Sequence, residues 1–345
     1  MKKITYNKQY LDNKDIKEVI KSLKNDLITT GPFVKRFENK LSKYLGVKNV
    51  ITCSSGTSAL YIALRALDIK KNDVIIIPAI NFIASINMAQ ILGAKIYLCD
   101  VNENTGQMTP ETLLECIKIN KLKKIKAVIT MYLGGNPNNI VNFYKLKKKY
   151  NFYLVEDSCH ALGSSYYFKK KKIKIGSCYH SDISTFSLHP VKSITSGEGG
   201  FLTTNSKFLS DKFKLLRSHG IIRSNRKKKY WKYDVSLPSF NFRMSDINAS
   251  IGIHQLKKID SFLSIRRKYV AMYDHGFADI PEIETLACHD KVDHAHHLYI
   301  IALQLEQLKV DRDGFLDAMQ ESGIGVAVHY IGLHLQPFYV KNFHI

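Results

Sequence analysis

Between residues 45 and 205, short β-branched runs alternate with stretches of helical periodicity, and few architectures accommodate that order. "NVITCSS" (49–55) reads as a strand, and "GTSALYIALRALDI" after it as a helix with apolar residues at 60, 63, 64 and 67. "DVIIIPA", "NFIASINMAQILG" and "KIYLCDV" continue as strand, helix and strand. "IKAVITMYL" (125–133), "FYLVEDS" (152–158), "DISTFSL" (182–188) and "GGFLTTN" (199–205) have the composition of buried strands. The pattern predicts an α/β fold with a mostly parallel sheet covered on both faces. Ligands in such sheets bind beyond the carboxyl ends of the strands.

From about residue 245 to 277 one long helical pattern leaves this region. The rest reads as a smaller α+β unit: strand "HHLYIIALQL" (296–305), helix "DRDGFLDAMQESG" (311–323) and strand "GVAVHYIG" (325–332). The expected division is an N-terminal arm and large domain over 1–250, then a linking helix and small domain over 251–345. No internal repeat or low-complexity tail interrupts it.

A net charge of +21 raises the question of nucleic acid, and its distribution argues against that partner. Residues 271–345 hold four basic and eleven acidic groups, a net of −7, and eight of the thirteen histidines. The basic excess upstream lies in separate clusters at 121–126, 145–149, 169–174 and 226–229, at expected helix ends and loops rather than along one stripe. Only 9 of the 51 basic residues are arginine, whose planar fork suits phosphate and base recognition. A solvated lysine-rich surface is the expectation, with no nucleic acid. No run of about 18 apolar residues is present to span a membrane, and the N-terminus lacks an apolar signal core. The six cysteines have no paired or metal-type spacing, as in a reduced, cytoplasmic protein.

Against this surface Lys192 stands apart. In "TFSLHPVKSITSGEGG" (185–200) it has no charged neighbour until Glu198, and small, apolar and hydroxyl residues surround it. A lone lysine in a desolvated pocket has a depressed pKa and acts as nucleophile and proton carrier. Other strand ends supply complementary groups. "SSGTSAL" (54–60) opens a helix with Gly56 and Thr57, a ready phosphate site, although Ser and Thr are also ordinary N-cap residues. "VEDSCHALG" (155–163) ends a strand with Asp157, followed by His160; the alternative role for Asp157 is a helix cap. Phe82 in "PAINFIAS" (78–85) is placed to stack on a ring or to fill the core. Lys192, Asp157, Ser187 and a phosphate-binding turn are together what pyridoxal 5'-phosphate requires: an amine for a Schiff base, a carboxylate for its ring nitrogen, and hydroxyls and N–H groups for its phosphate.

These motifs, with "TTGPFVKRFE" (29–38), "RSHGI" (217–221), "FNFRMSDINASIGIHQLKKID" (240–260) and "GIGVAVHY" (323–330), resemble the DegT/DnrJ/EryC1/StrS family of nucleotide-sugar aminotransferases over nearly the whole chain. The resemblance implies the fold-type I architecture of pyridoxal-phosphate-dependent transferases. It implies that Lys192 carries the cofactor as a Schiff base, that Asp157 pairs with the pyridine nitrogen, and that His160 lies near the phenolic oxygen. Ser187, Gly56 and Thr57 would bind the phosphate, and Phe82 would stack on the ring. Asn241 would reach the phosphate from the second subunit of a homodimer. Tyr6, Thr30, Gly31, His329 and Tyr330 would bind substrate.

Some members replace the lysine with histidine and dehydrate sugars, so Lys192 points to transamination. The family implies L-glutamate as amino donor and C4 of a UDP-linked 4-keto-6-deoxy-N-acetylhexosamine as acceptor. Alternatives are amination at C3, a dTDP-keto sugar or a UDP-4-keto-pentose. Family members continue past "QPFY" with a further strand and helix, whereas this chain stops at "VKNFHI". A truncated small domain is therefore expected, and with it the further alternative of a non-catalytic or regulatory homologue. The histidines of "HAHHL" (294–298) lack a supporting cysteine or carboxylate cluster at ligand spacing, so no metal is expected.

Overall fold

The computed structural model describes residues 3–223, 231–288 and 291–343; the basic cluster at 226–229 lies outside the described residues. In chain order, α1 (Asn13–Leu23) and α2 (Pro32–Leu45) precede β1 (Asn49–Cys53), α3 (Gly56–Ala66), β2 (Val74–Pro78) and α4 (Ala84–Ile91). Then come β3 (Lys95–Cys99), α5 (Pro110–Ile119), β4 (Ala127–Met131), α6 (Ile140–Tyr150) and β5 (Tyr153–Asp157). A hairpin of β6 (Ser165–Phe168) and β7 (Lys171–Lys174) leads into β8 (Ile183–Ser187), β9 (Gly200–Thr204) and α7 (Lys207–Arg217). The pair β10 (Ile221–Arg223) and β11 (Tyr233–Val235) precedes the 32-residue α8 (Asp246–Phe277). Short strands β12 (Ile283–Thr285), β13 (Val292–Asp293) and β14 (Ile301–Leu303) are followed by α9 (Arg312–Glu321) and α10 (Pro337–Phe343).

Seven strands form the central sheet in the order β1-β9-β8-β5-β4-β2-β3. Only β9 runs against the rest: it pairs antiparallel with both β1 and β8, whereas β8/β5, β5/β4, β4/β2 and β2/β3 are parallel. The expected mostly parallel sheet is present. Its strands read as continuous apolar runs because both faces are covered. Along β2, Ile75 and Ile77 enter the core that contains α3 and α7, and Ile76 enters the opposite core with Leu113 and Phe143 of α5 and α6. A third core joins Phe186 and Phe201 of the sheet to Phe37 and Leu41 of α2 and to Ile253 and Leu256 of α8.

Helix α8 starts at Ser245, whose hydroxyl accepts the Asn248 amide at 3.1 Å. Its first residue after that cap, Asp246, is fully buried and accepts the amides of Gly31, Phe33 and Val34 at 2.9, 3.0 and 3.1 Å. It thereby caps α2, which has no side-chain cap of its own. The "GPFV" and "SDIN" motifs are thus two halves of one device.

The C-terminal segment departs from the sequence expectation. "HHLYIIALQL" shortens to the three residues of β14, paired with β12. The backbone just before it is held otherwise: Arg266 donates to the carbonyls of His296 and His297 at 2.9 and 2.8 Å. "GVAVHYIG" is not a strand. Its only ladder-like contact is at its start, where Gly325 N–H donates to Ile4 O at 2.8 Å and Ile4 N–H to Gly323 O at 2.9 Å. The chain then returns to the large domain. Leu333 N–H donates to Ala79 O at 2.8 Å, Tyr339 OH to Asn87 at 2.5 Å, and Leu333 and Tyr339 enter the core beside Ile77. Helix α10 begins within "QPFY" and sets Tyr339 into the core beside the sheet. No helix among the described residues is long and apolar enough to cross a membrane.

Candidate active site

The carboxyl ends of β1, β2, β4, β5 and β8 open on one side of the sheet, and the loops after them enclose a cavity of about 480 Å³. Gly56, Thr57, Phe82, Asp157, His160, Ser187, Lys192, His329 and Tyr330 all line it. These are nine of the thirteen residues singled out in the sequence. Tyr6 joins them through His329: its hydroxyl lies 2.9 Å from His329 Nε2 and the rings stack at 5.6 Å. Thr30, Gly31 and Asn241 do not line it. Thr30 is exposed, Gly31 is occupied with Asp246, and the exposed Asn241 accepts the Arg243 amide at 3.2 Å.

Lys192 follows β8 in a turn closed by its own amide donating to His189 O at 2.9 Å. Burial pushes its ammonium below the ordinary lysine range, opposed by the nearby Cys159 and Asp157. The amine therefore reaches its neutral, nucleophilic form more readily than the surface lysines. Asp157 ends β5 and is buried. Its carboxylate accepts Ser85 Oγ at 3.1 Å and the Cys159 amide at 3.2 Å. Residues 158–164 form turns, so Asp157 caps no helix. A buried carboxylate with so few donors retains capacity for a cationic partner in the cavity.

His160 is buried, its Nε2 is 3.1 Å from Tyr330 OH, and its Nδ1 has no partner among the described residues. Burial first, then His297, Lys192 and His329, hold it well below the usual histidine range, so it is neutral. Phe82 is half exposed at 50% and its ring lies 5.9 Å from that of Tyr330. It is not a core residue; it forms part of the cavity wall.

Another part of the wall is the glycine-lined start of α3. Helix α3 begins at Gly56; the Ser58 amide donates to Ser55 Oγ at 3.1 Å, which leaves those of Gly56 and Thr57 as the first-turn amides for an anion. A Cβ at Gly56 would lie 2.9 Å from Ser187 Cβ and 3.3 Å from Cys159 Sγ, so only glycine lets α3 approach β8 this closely. Gly200 makes the same kind of approach: a Cβ there would lie 2.7 Å from Gly56 N. The orphaned Nδ1 of His160, the carboxylate of Asp157, the glycine cradle and the lone amine of Lys192 fit a flat, phosphorylated pyridine aldehyde.

Ser85 and Asn81 escaped the sequence reading. Asn81 Nδ2 donates to Ser85 Oγ at 3.2 Å, and Ser85 in turn orients Asp157. Both stand inside "PAINFIAS", but nothing distinguishes them there from ordinary turn and helix residues. His297 was considered only as part of "HAHHL"; it is buried, with its ring 4.4 Å from that of His160. The described group of His and acidic residues closest to a metal-ligand arrangement is elsewhere, at Asp12, Asp15 and His254. The Lys258 ammonium bonds both of its carboxylates, and His254 Nδ1 bonds Asp15 at 3.0 Å.

Known proteins resemble this chain over most of its length. The family model of the DegT/DnrJ/EryC1/StrS aminotransferase family matches residues 9–344. A Campylobacter jejuni protein named UDP-4-amino-4,6-dideoxy-N-acetyl-beta-L-altrosamine transaminase is 38% identical over 338 residues, covering 98% of this chain and 86% of that protein. Helicobacter pylori PseC, described as an aminotransferase involved in the biosynthesis of pseudoaminic acid, superposes with a TM-score of 0.90 at 29% identity, over 100% of this chain and 89% of that one. The PLP form of a putative sugar aminotransferase, Spr1654 from Streptococcus pneumoniae, gives 0.87 at 30% identity, over 98% and 88%. The chain spans 86–89% of these proteins, and at that coverage the expectation of a truncated small domain is not borne out. The chain belongs to the DegT/DnrJ/EryC1/StrS aminotransferase family.

Proposed function

We propose that this protein, with pyridoxal 5'-phosphate as cofactor, moves the amino group of L-glutamate to the C4 keto group of a UDP-linked 4-keto-6-deoxy-N-acetylhexosamine, for a surface glycan or flagellin sugar. The observation that carries the reading is the convergence of Lys192, Asp157, His160 and the Gly56 cradle on one cavity. The altrosamine transaminase name of the 38% identical relative supports the substrate class.

The cofactor supplies an aldehyde that condenses with amines and a ring that holds the electron pair left when a carbon next to nitrogen loses its proton. The protein supplies the rest. Lys192, its pKa lowered by burial, would take and return that proton at Nζ. Asp157, steered by Ser85, keeps the ring nitrogen protonated by its charge. Neutral His160, held by Tyr330, offers Nδ1 toward the phenolic oxygen. Gly56, Thr57 and Ser187 receive the phosphate, and Phe82 covers the ring. Tyr6, His329 and Tyr330 border the sugar. A lysine at this position, where sugar-dehydrating members carry histidine, supports transamination.

The working form in this reading is a cytoplasmic homodimer. Thr30, Gly31 and Asn241 stay outside the cavity of their own chain, as residues serving a neighbouring subunit's site would. Residues 1–250 form the arm and cofactor domain, and 251–345 the linking helix and small domain. The test is incubation with ¹⁵N-glutamate and a panel of UDP- and dTDP-linked 4-keto and 3-keto sugars, read by mass spectrometry and NMR. Label at C4 of the UDP-hexosamine is expected. Label at C3, or on the dTDP sugar or the pentose alone, would replace the substrate, and no label on any sugar would refute the activity.

A further inference from the structure

Lys192 lines two cavities: the one described above and a second of about 630 Å³ that Asn7, Tyr10, Pro190, Ser193 and Gln255 also line. With open space on more than one side, packing alone does not fix the turn that carries it. The base of that turn is tied, by Leu188 N–H to Gly199 O at 2.8 Å, Ser196 N–H to Leu188 O at 3.0 Å and Thr195 Oγ1 to Leu188 O at 3.1 Å. Its crown is not. Among the described residues, one hydrogen bond reaches residues 189–193 from outside 187–199: Asn7 Nδ2 donates to Val191 O at 2.9 Å. That carbonyl belongs to the peptide joining Val191 to Lys192.

Asn7 is itself anchored. Ile4 is tied by two backbone bonds to Gly323 and Gly325, and Tyr6 is bonded to and stacked on His329. Consecutive residues of the arm thus grip the two loops that face each other across the cofactor cavity. Fixing a peptide fixes the Cα and the direction in which its long side chain departs, and misplacing a reacting amine lowers the rate without weakening substrate contacts.

We infer that Asn7 is a positioning residue: its amide holds the Val191–Lys192 peptide and so sets where the Lys192 amine stands. This rests on the reading of Lys192 as the cofactor lysine. The test compares wild type with Asn7→Ala and Asn7→Asp, the latter keeping the size of the side chain but aiming an acceptor at the carbonyl. Two quantities are measured: the rate at which apoprotein captures free pyridoxal phosphate on Lys192, followed by its visible absorption, and the kinetic constants of the holoenzyme. The expected result is a fall of about fivefold in both the capture rate and kcat in both variants, the worth of one hydrogen bond, with KM for glutamate unchanged. Wild-type capture and kcat in both variants would overturn the inference, as would a loss in Asn7→Ala that Asn7→Asp restores, because the side chain would then act by volume. A loss confined to KM would overturn it too. If wild type captures no cofactor, the reading of Lys192 fails first.

Discussion

Replacing Tyr330 by phenylalanine removes one oxygen atom and keeps the ring. The ring contacts to Phe82 at 5.9 Å and His160 at 6.2 Å survive, so the change isolates the hydroxyl. That hydroxyl is the partner of His160 Nε2 at 3.1 Å, and His160 Nδ1 has none. His160 is 2% exposed, so its Nε2 loses its partner where little solvent reaches it. Leaving a buried polar group unpaired costs about 1–3 kcal/mol, against about 1 kcal/mol for a bond that solvent can substitute. In a chain of this size the apoprotein should lose about 2–6 °C in melting temperature, since each kcal/mol moves larger domains by about 2 °C or more. Tyr6→Phe is the internal control. It deletes a bond of similar length, 2.9 Å to His329, but Tyr6 is 41% exposed and water reaches the site. Its expected loss is no more than about 1 kcal/mol and smaller than that of Tyr330→Phe. Scanning fluorimetry of both apoproteins decides the matter. Equal shifts, or no shift in Tyr330→Phe, would refute the argument that burial of His160 makes its single bond matter.

Asp157→Asn should keep the fold and the cofactor but slow turnover by about 10²-fold or more, because a neutral amide does not hold the ring proton by charge; steady-state kinetics on cofactor-saturated protein check this, and unchanged turnover would reduce Asp157 to a turn residue. Co-expression of Lys192→Ala with Asn241→Ala, each defective alone, should yield heterodimers with one intact site and about half of wild-type activity if Asn241 serves the other subunit. Verified heterodimers without activity, or an active monomer, would exclude a shared site.

The large domain was legible because its strands are buried on both faces. Runs such as "DVIIIPA" need no partner strand in the sequence to declare themselves, and β2 and β4 occupy the interior of the sheet. Lys192 was legible for the opposite reason: it is a cation where the surrounding residues are not. The small domain was less so. "GVAVHYIG" has strand composition, but its backbone meets only Ile4 at one end before it turns toward the cavity to deliver His329 and Tyr330. "HHLYIIALQL" is held at its start by Arg266 of α8 and by Leu298 N–H donating to Gly134 O at 3.2 Å, long-range contacts that no local pattern encodes. The seating of α10 depends on Tyr339 finding Asn87, 252 residues away, and nothing near "QPFY" in the sequence announces it. Ser85 and Asn7 were invisible for the same reason. A serine in a helix and an asparagine in an arm acquire their roles only when β5 and the lysine turn are brought beside them.

The central claim is that Lys192 binds the cofactor and carries the proton in transamination. The most direct test is the visible spectrum of protein reconstituted with pyridoxal phosphate, recorded before and after L-glutamate and then after the UDP-4-keto sugar, for wild type and Lys192→Ala. Wild type should show the band of lysine-bound cofactor, lose it with glutamate and regain it with the sugar; Lys192→Ala should fold, show no such band and turn over nothing. A band indifferent to glutamate, or full activity in Lys192→Ala without an added amine, would contradict the account.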